Sequence, residues 1–126
     1  MSTAVAGPRA IRSLFVWGCY LTGLSLALLV APNKLLTLFQ LPPTEEVWIR
    51  VVAMLTGILA FFSFMSARTA NAEYMRWSVI GRGAVPFVLS AFVLLGWAGP
   101  ALLPFGFVDL SAAIWTHWAL GRDAAG

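Results

Sequence analysis

Residues 13–33 contain no Asp, Glu, Lys or Arg. At 1.5 Å per residue, a helix over this run covers the roughly 30 Å of hydrocarbon in a bilayer. The pattern recurs along the chain, broken in the later apolar stretches by Arg50, Arg82, Asp109 and His117, besides Glu73 and Arg76 at the start of the third. Of the 126 residues, 60% are hydrophobic and 10% charged, whereas a soluble domain carries roughly 25% charged residues. So few charges cannot cover a water-facing surface, which excludes soluble enzymes, disordered tails and disulfide scaffolds. The expected class is an all-α integral membrane protein.

The spans are expected at about residues 13–31, 47–67, 72–97 and 101–120, a single domain forming a four-transmembrane-helix antiparallel bundle. Pro32 ends the first span, because its missing N–H cannot continue a helix. Continuous rather than alternating apolar runs argue against membrane strands. Arg9 and Arg12 ahead of the first run resemble the start of a signal peptide. The run exceeds the apolar region of about 7–15 residues in a cleavable signal, so a retained helix is expected. Basic residues set the orientation. Arg9, Arg12, Arg68, Arg76 and Arg122 fall at one level, with Trp17, Trp77 and Trp118 near it; Lys34, Arg50, Trp48 and Trp97 fall at the other. Both termini are expected in the cytoplasm.

Residues 32–41 are apolar but too short to cross, and read as an interfacial segment with Leu35, Leu38 and Phe39 turned inward. Thr44 is expected to cap the second span, with Glu45 and Glu46 at its positive end. Pro32, Leu35, Leu36 and Phe39 are echoed by Pro100, Leu102, Leu103 and Phe105. The echo suggests two tandem helical hairpins related by an axis along the membrane normal. Helices in lipid pack through small residues. The inward faces are therefore expected at Gly18, Thr22 and Ser25, at Ala53, Gly57, Ala60 and Ala67, and at Ser111, Ala112, Ala113 and Thr116. The 61–64 run and residues 26–30 are expected to face lipid or a partner, around a core too narrow for a wide aqueous channel.

Ionisable residues within hydrocarbon are expensive and mark candidate sites. Arg50 and Asp109 enter from the same side and are expected to pair, with Arg82 reaching Asp109 or His117 as the alternative. Such a network serves either to hold the bundle in register or to bind a ligand. One histidine and one cysteine, Cys19, exclude multi-ligand metal centres. A single imidazole can still ligate one haem or chlorophyll-type macrocycle, and Ala113 one turn before His117 would leave clearance for it. No nucleophile–base set, phosphate loop or paired cysteines is present, and residues 81–83 lie within a span. Gly81 and Gly83 read instead as places of close helix approach, with Pro86 adding a kink. The chain is not expected to be an enzyme, the composition names no cofactor, and scattered basic residues give no nucleic-acid surface.

Three segments, residues 42–52, 74–82 and 109–116, resemble small bacterial four-helix membrane proteins of the BphX-like and DoxX-like groups. The resemblance implies a location in the bacterial inner membrane and an accessory role beside quinone-linked or redox complexes; it brings no catalytic residue set. The leading functional reading is thus an accessory or scaffolding subunit of a larger membrane complex, in contact with lipid and with other subunits or its own copies, and binding lipid or quinone. A small-molecule transporter or binding protein using Arg50, Arg82 and Asp109 is the alternative, and a pigment carrier through His117 a third.

Overall fold

The computed structural model describes residues 5–125, and among these the chain is helical throughout, without a strand. The elements are α1 (Pro8–Val30), α2 (Pro32–Leu38), α3 (Trp48–Arg68), α4 (Ala72–Leu94) and α5 (Leu103–Ala125), the last preceded by a 3₁₀ turn at Pro100–Leu102. Helices α1, α3 and α4 are long and apolar enough to cross a membrane. Helix α5 matches α1 and α4 in length but does not stand with these three as apolar enough to cross.

Successive long helices alternate in direction. Ser25, near the end of α1, donates to the Ala53 carbonyl near the start of α3 at 2.6 Å. Ser13, near the start of α1, meets Thr116 in the last third of α5 at 2.9 Å. Arg9 Nη1 lies 3.5 Å from Asp123 Oδ1, so the start of α1 and the end of α5 share one end of the molecule. Helix α1 packs along α3, α5 packs along α4, and α1 lies against α5. Helices α3 and α4, although consecutive, meet little beyond their connecting turn.

Small residues set the close contacts. A Cβ on Gly18 would fall 2.8 Å from the Phe64 ring, and one on Gly57 would fall 2.9 Å from Ser25 Oγ. One on Gly106 would fall 2.9 Å from the Cα of Pro86, the proline inside α4. The close approach to α4 is therefore made at Gly106, not at Gly81 or Gly83, which face open space. Ala53, Ala60 and Ala67 are buried as their spacing requires. Ser111, by contrast, is exposed, and Leu28 and Ser63 are buried within runs expected to face outward. The main apolar cluster, with Leu14, Met75 and Ala119 at its centre, sits at the end where α1 begins.

Several helix ends depart from the expected boundaries. Helix α1 starts at Pro8, since proline at the first helical position forfeits only an N–H that has no intrahelical partner. Its cap comes from another helix: the Asp123 carboxylate on α5 accepts the Ala10 N–H at 3.0 Å. Helix α4 stops at Leu94 because Gly96 turns left-handed (φ 78°), with Trp97 N–H bonding the Phe92 carbonyl and Gly96 N–H that of Val93. This is the Schellman closure, and it recurs at Gln40 (φ 59°) and Ala70 (φ 52°), where no glycine signals it. Asn71 then caps α4 by accepting the Tyr74 N–H at 3.1 Å.

Thr44 caps no helix. Its N–H donates to Asn33 Oδ1 at 2.8 Å and its hydroxyl accepts the Glu46 N–H, while α3 begins at Trp48 with no acidic residue in its first turn. Of the segment expected to turn inward, Phe39 stacks on Phe105 at 4.6 Å and Leu35 is half-buried, but Leu38 is 75% exposed.

Candidate functional site: a cleft between α3 and α4

Because α3 and α4 diverge, a cavity of about 560 Å³ opens between them and reaches back to α1 and α5. Trp17, Leu21, Ser63 and Arg82 are buried on its wall and form its back. Leu59 on α3 with Trp77 and Gly81 on α4 are exposed and form its mouth. Tyr20, Tyr74 and Phe105 line the sides, and the half-buried Asp109 borders the cavity from α5. Leu59 and Gly81 lie near mid-height on two helices of membrane-spanning length, so the mouth opens on the side of the molecule.

Arg82 organises the back wall and is only 6% exposed. Its Nε–H donates to the Ser78 carbonyl at 3.3 Å, one turn earlier on α4. Nη2 donates to Ser78 Oγ and to Thr116 Oγ1, each at 3.0 Å. Ser13 Oγ spends its hydrogen on the Ala10 carbonyl at 2.8 Å, so Thr116 donates to Ser13 across their 2.9 Å contact. A directed chain therefore runs from α4 through α5 to α1, each hydroxyl accepting once and donating once. The guanidinium also lies over the Trp17 ring, 5.0 Å from its centroid. Such stacking adds roughly 0.5–2 kcal/mol, more where water is excluded.

One part of this group is unmet. Nη1 is buried and has no hydrogen-bond partner. A guanidinium carries five N–H donors; Ser78 and Thr116 serve those of Nε and Nη2, leaving the pair on Nη1.

The expected charge pairing is not formed. Arg50 is exposed and donates to the Leu29 carbonyl at 3.1 Å, closing the upper end of α1 rather than meeting Asp109. Arg82 and Asp109 share the cavity without an ion pair; among the described residues the ion pairs are Arg9–Asp123 and Glu73–Arg76. Arg82 turns inward as expected, yet bonds Thr116 rather than Asp109 or His117. His117 is exposed, outside the cavity, while Ala113, meant to leave clearance beside it, is buried in packing. Trp17 is 8% exposed, its ring beneath the guanidinium. Sequence reasoning missed Ser13, Ser78 and Trp17 as partners in this network. The available signal was that Ser78 stands four residues before Arg82, one helical turn away.

Among the described residues no cluster of His, Cys, Asp or Glu is suited to hold a metal ion. Compared with models of known families, with curated proteins and with solved structures, the chain matches none. The resemblance to BphX-like and DoxX-like proteins gains no support from those comparisons, and the candidate site rests on its own geometry.

Proposed function

We propose that the chain is a membrane-embedded binding protein whose α3–α4 cleft holds a small amphipathic molecule. In this reading α5 completes a four-span antiparallel bundle in the bacterial inner membrane, with both ends of the described chain on the cytoplasmic side. The meeting of Arg9 with Asp123 supports an even number of crossings, and the excess of basic residues at that end supports the orientation.

The observation that carries the reading is that Arg82, whose Nη1 is buried without a hydrogen-bond partner, lines a cavity that opens sideways. A buried unsatisfied donor costs about 1–3 kcal/mol, more when charged, and an acceptor oxygen in the cleft removes that cost. Asp109, on the same cavity, offers an acceptor to a hydroxyl or amine. One cation and one anion favour a head without net charge that carries both an acceptor and a donor. The rings of Tyr20, Tyr74, Trp77 and Phe105 suit an apolar body beside it. Glycerol-ester lipids and quinone–quinol pairs share this chemistry, in keeping with lipid or quinone as the expected ligand. Arg50 and His117 have no part in the site.

The accessory-subunit reading has no observation of its own, because the exposed apolar side chains on the long helices suit acyl chains and a partner's helices alike. Native mass spectrometry after gentle extraction tests the binding reading. The wild type is expected to carry a stoichiometric small molecule that Arg82→Gln loses. Leu59→Trp, which fills the mouth and leaves the polar network intact, is expected to lose it as well. A wild type free of any such molecule, or variants that retain it, would contradict the reading.

A further inference from the structure

A second cavity of about 410 Å³ runs between α1, α2 and α5, lined by Gly23, Ala27, Leu35, Phe39, Pro104 and Val108 among others. It is almost wholly apolar, and no charged group borders it. The two cavities share three lining residues, Tyr20, Leu24 and Phe105. The two cavities thus adjoin at these three residues. Tyr20 rests on Trp17 at 5.2 Å between ring centroids, and Phe105 rests on Phe39 at 4.6 Å. Each of these rings has one neighbour in one cavity and a face on the other.

We infer that the molecule bound in the cleft is a long single-chain amphiphile, its head between Arg82 and Asp109 and its chain passing Tyr20, Leu24 and Phe105 into the groove beneath α2. The inference rests on the binding reading above and specifies its ligand. From Trp17 to Ala27 the helix rises about 15 Å at 1.5 Å per residue, beyond the reach of a compact head and within that of a dodecyl or longer chain. Gly23 borders open space in the groove, where an added Cβ would meet nothing within 4 Å. Each cavity separately lies within the roughly 300–1,000 Å³ usual for ligand sites. The pairing of a polar cleft with an apolar groove matches the division of an amphiphile into head and tail.

A 1-monoacylglycerol with a hexadecanoyl chain supplies a neutral head with both donors and acceptors, and a diazirine on its terminal carbon reports where the chain ends. The protein is placed in nanodiscs of diacyl phosphatidylcholine, photolysed, and its adducts mapped with and without excess unlabelled probe. The expected result is competable labelling of Leu35 and Phe39, lost in Arg82→Gln. In Gly23→Leu, whose new side chain enters the groove but not the cleft, the labelling is expected to move to Leu59 and Trp77 at the mouth. Competable labelling confined to the mouth in the wild type would overturn the chain path while leaving the cleft as the binding site. Absence of competable labelling anywhere would overturn both for this class of head, and labelling of α2 unchanged by Gly23→Leu would overturn the path alone.

Discussion

Arg82 on α4 donates to the hydroxyl of Thr116 on α5 across 3.0 Å, at a point where both side chains are buried. The bond joins the two helices of the second hairpin, and Ser13 extends it to α1. Within an apolar interior this gives Thr116 an orienting role that its size alone would not suggest. It also fixes which guanidinium nitrogens are spent and which is left without a partner.

Replacing Thr116 with valine keeps the shape and removes both the acceptor for Arg82 and the donor to Ser13. The expected loss is about 1–3 kcal/mol, read as a lower unfolding temperature in mild detergent. Thr116→Ser restores the hydroxyl and is expected to recover most of the loss. A Thr116→Val variant as stable as the wild type beside a destabilised Thr116→Ser would show that the methyl group, not the hydrogen bond, matters there.

The Asp123 side chain is 7% exposed and closes the N-terminus of α1 by accepting the Ala10 N–H, with Arg9 beside it. An anion at a helix start is favourable both as a cap and towards the helix dipole. Asp123→Ala is expected to cost about 0.5–2 kcal/mol, and amide hydrogen exchange is expected to quicken in the first turn of α1. Protection unchanged at Arg9 and Ala10 would contradict the cap. Gly7 must stay small here, since a Cβ would fall 2.7 Å from Asp123 Oδ2.

Three glycines separate close packing from mere flexibility. At Gly106 an added Cβ meets the backbone of Pro86, which cannot yield without moving α4; at Gly18 it meets the Phe64 ring, which can turn; at Gly23 it meets nothing. Overpacking of a tight contact costs about 1–3 kcal/mol. The destabilisation on substitution by alanine is expected to fall in the order Gly106, Gly18, Gly23, with Gly23→Ala within about 0.5 kcal/mol of the wild type.

The long helices were legible in the amino-acid pattern because continuous apolar runs and Pro32 leave little else for those stretches to form. Arg82 was legible as a buried group, since an ionisable residue between Ile80 and Phe87 has to turn inward. Its partners were not: hydropathy leaves the rotation of a nearly uniformly apolar helix undetermined, so Asp109, His117 and Thr116 were equally within reach. The Arg50–Asp109 pairing failed for a related reason, because similar depth says nothing about which helices are neighbours. The left-handed turns at Gln40 and Ala70 carry no glycine to mark them. The cleft itself arises from how little α3 and α4 touch, which no local pattern encodes.

Those turns give a further expectation. Left-handed backbone costs a residue with a Cβ roughly 1–2 kcal/mol. Gly96→Ala is therefore expected to destabilise the end of α4 by about that amount, and Gln40→Gly to stabilise the end of α2 by somewhat less. Both are exposed, so contacts contribute little. Thermal unfolding of the two variants checks the opposite signs.

The most direct measurement is an experimental structure of the protein carried from its native membrane into lipid nanodiscs without detergent. The account predicts a non-protein polar atom about 2.7–3.2 Å from Arg82 Nη1, with α3 and α4 held apart around it. Helices α3 and α4 closed on each other, or Nη1 faced only by acyl chain, would contradict it.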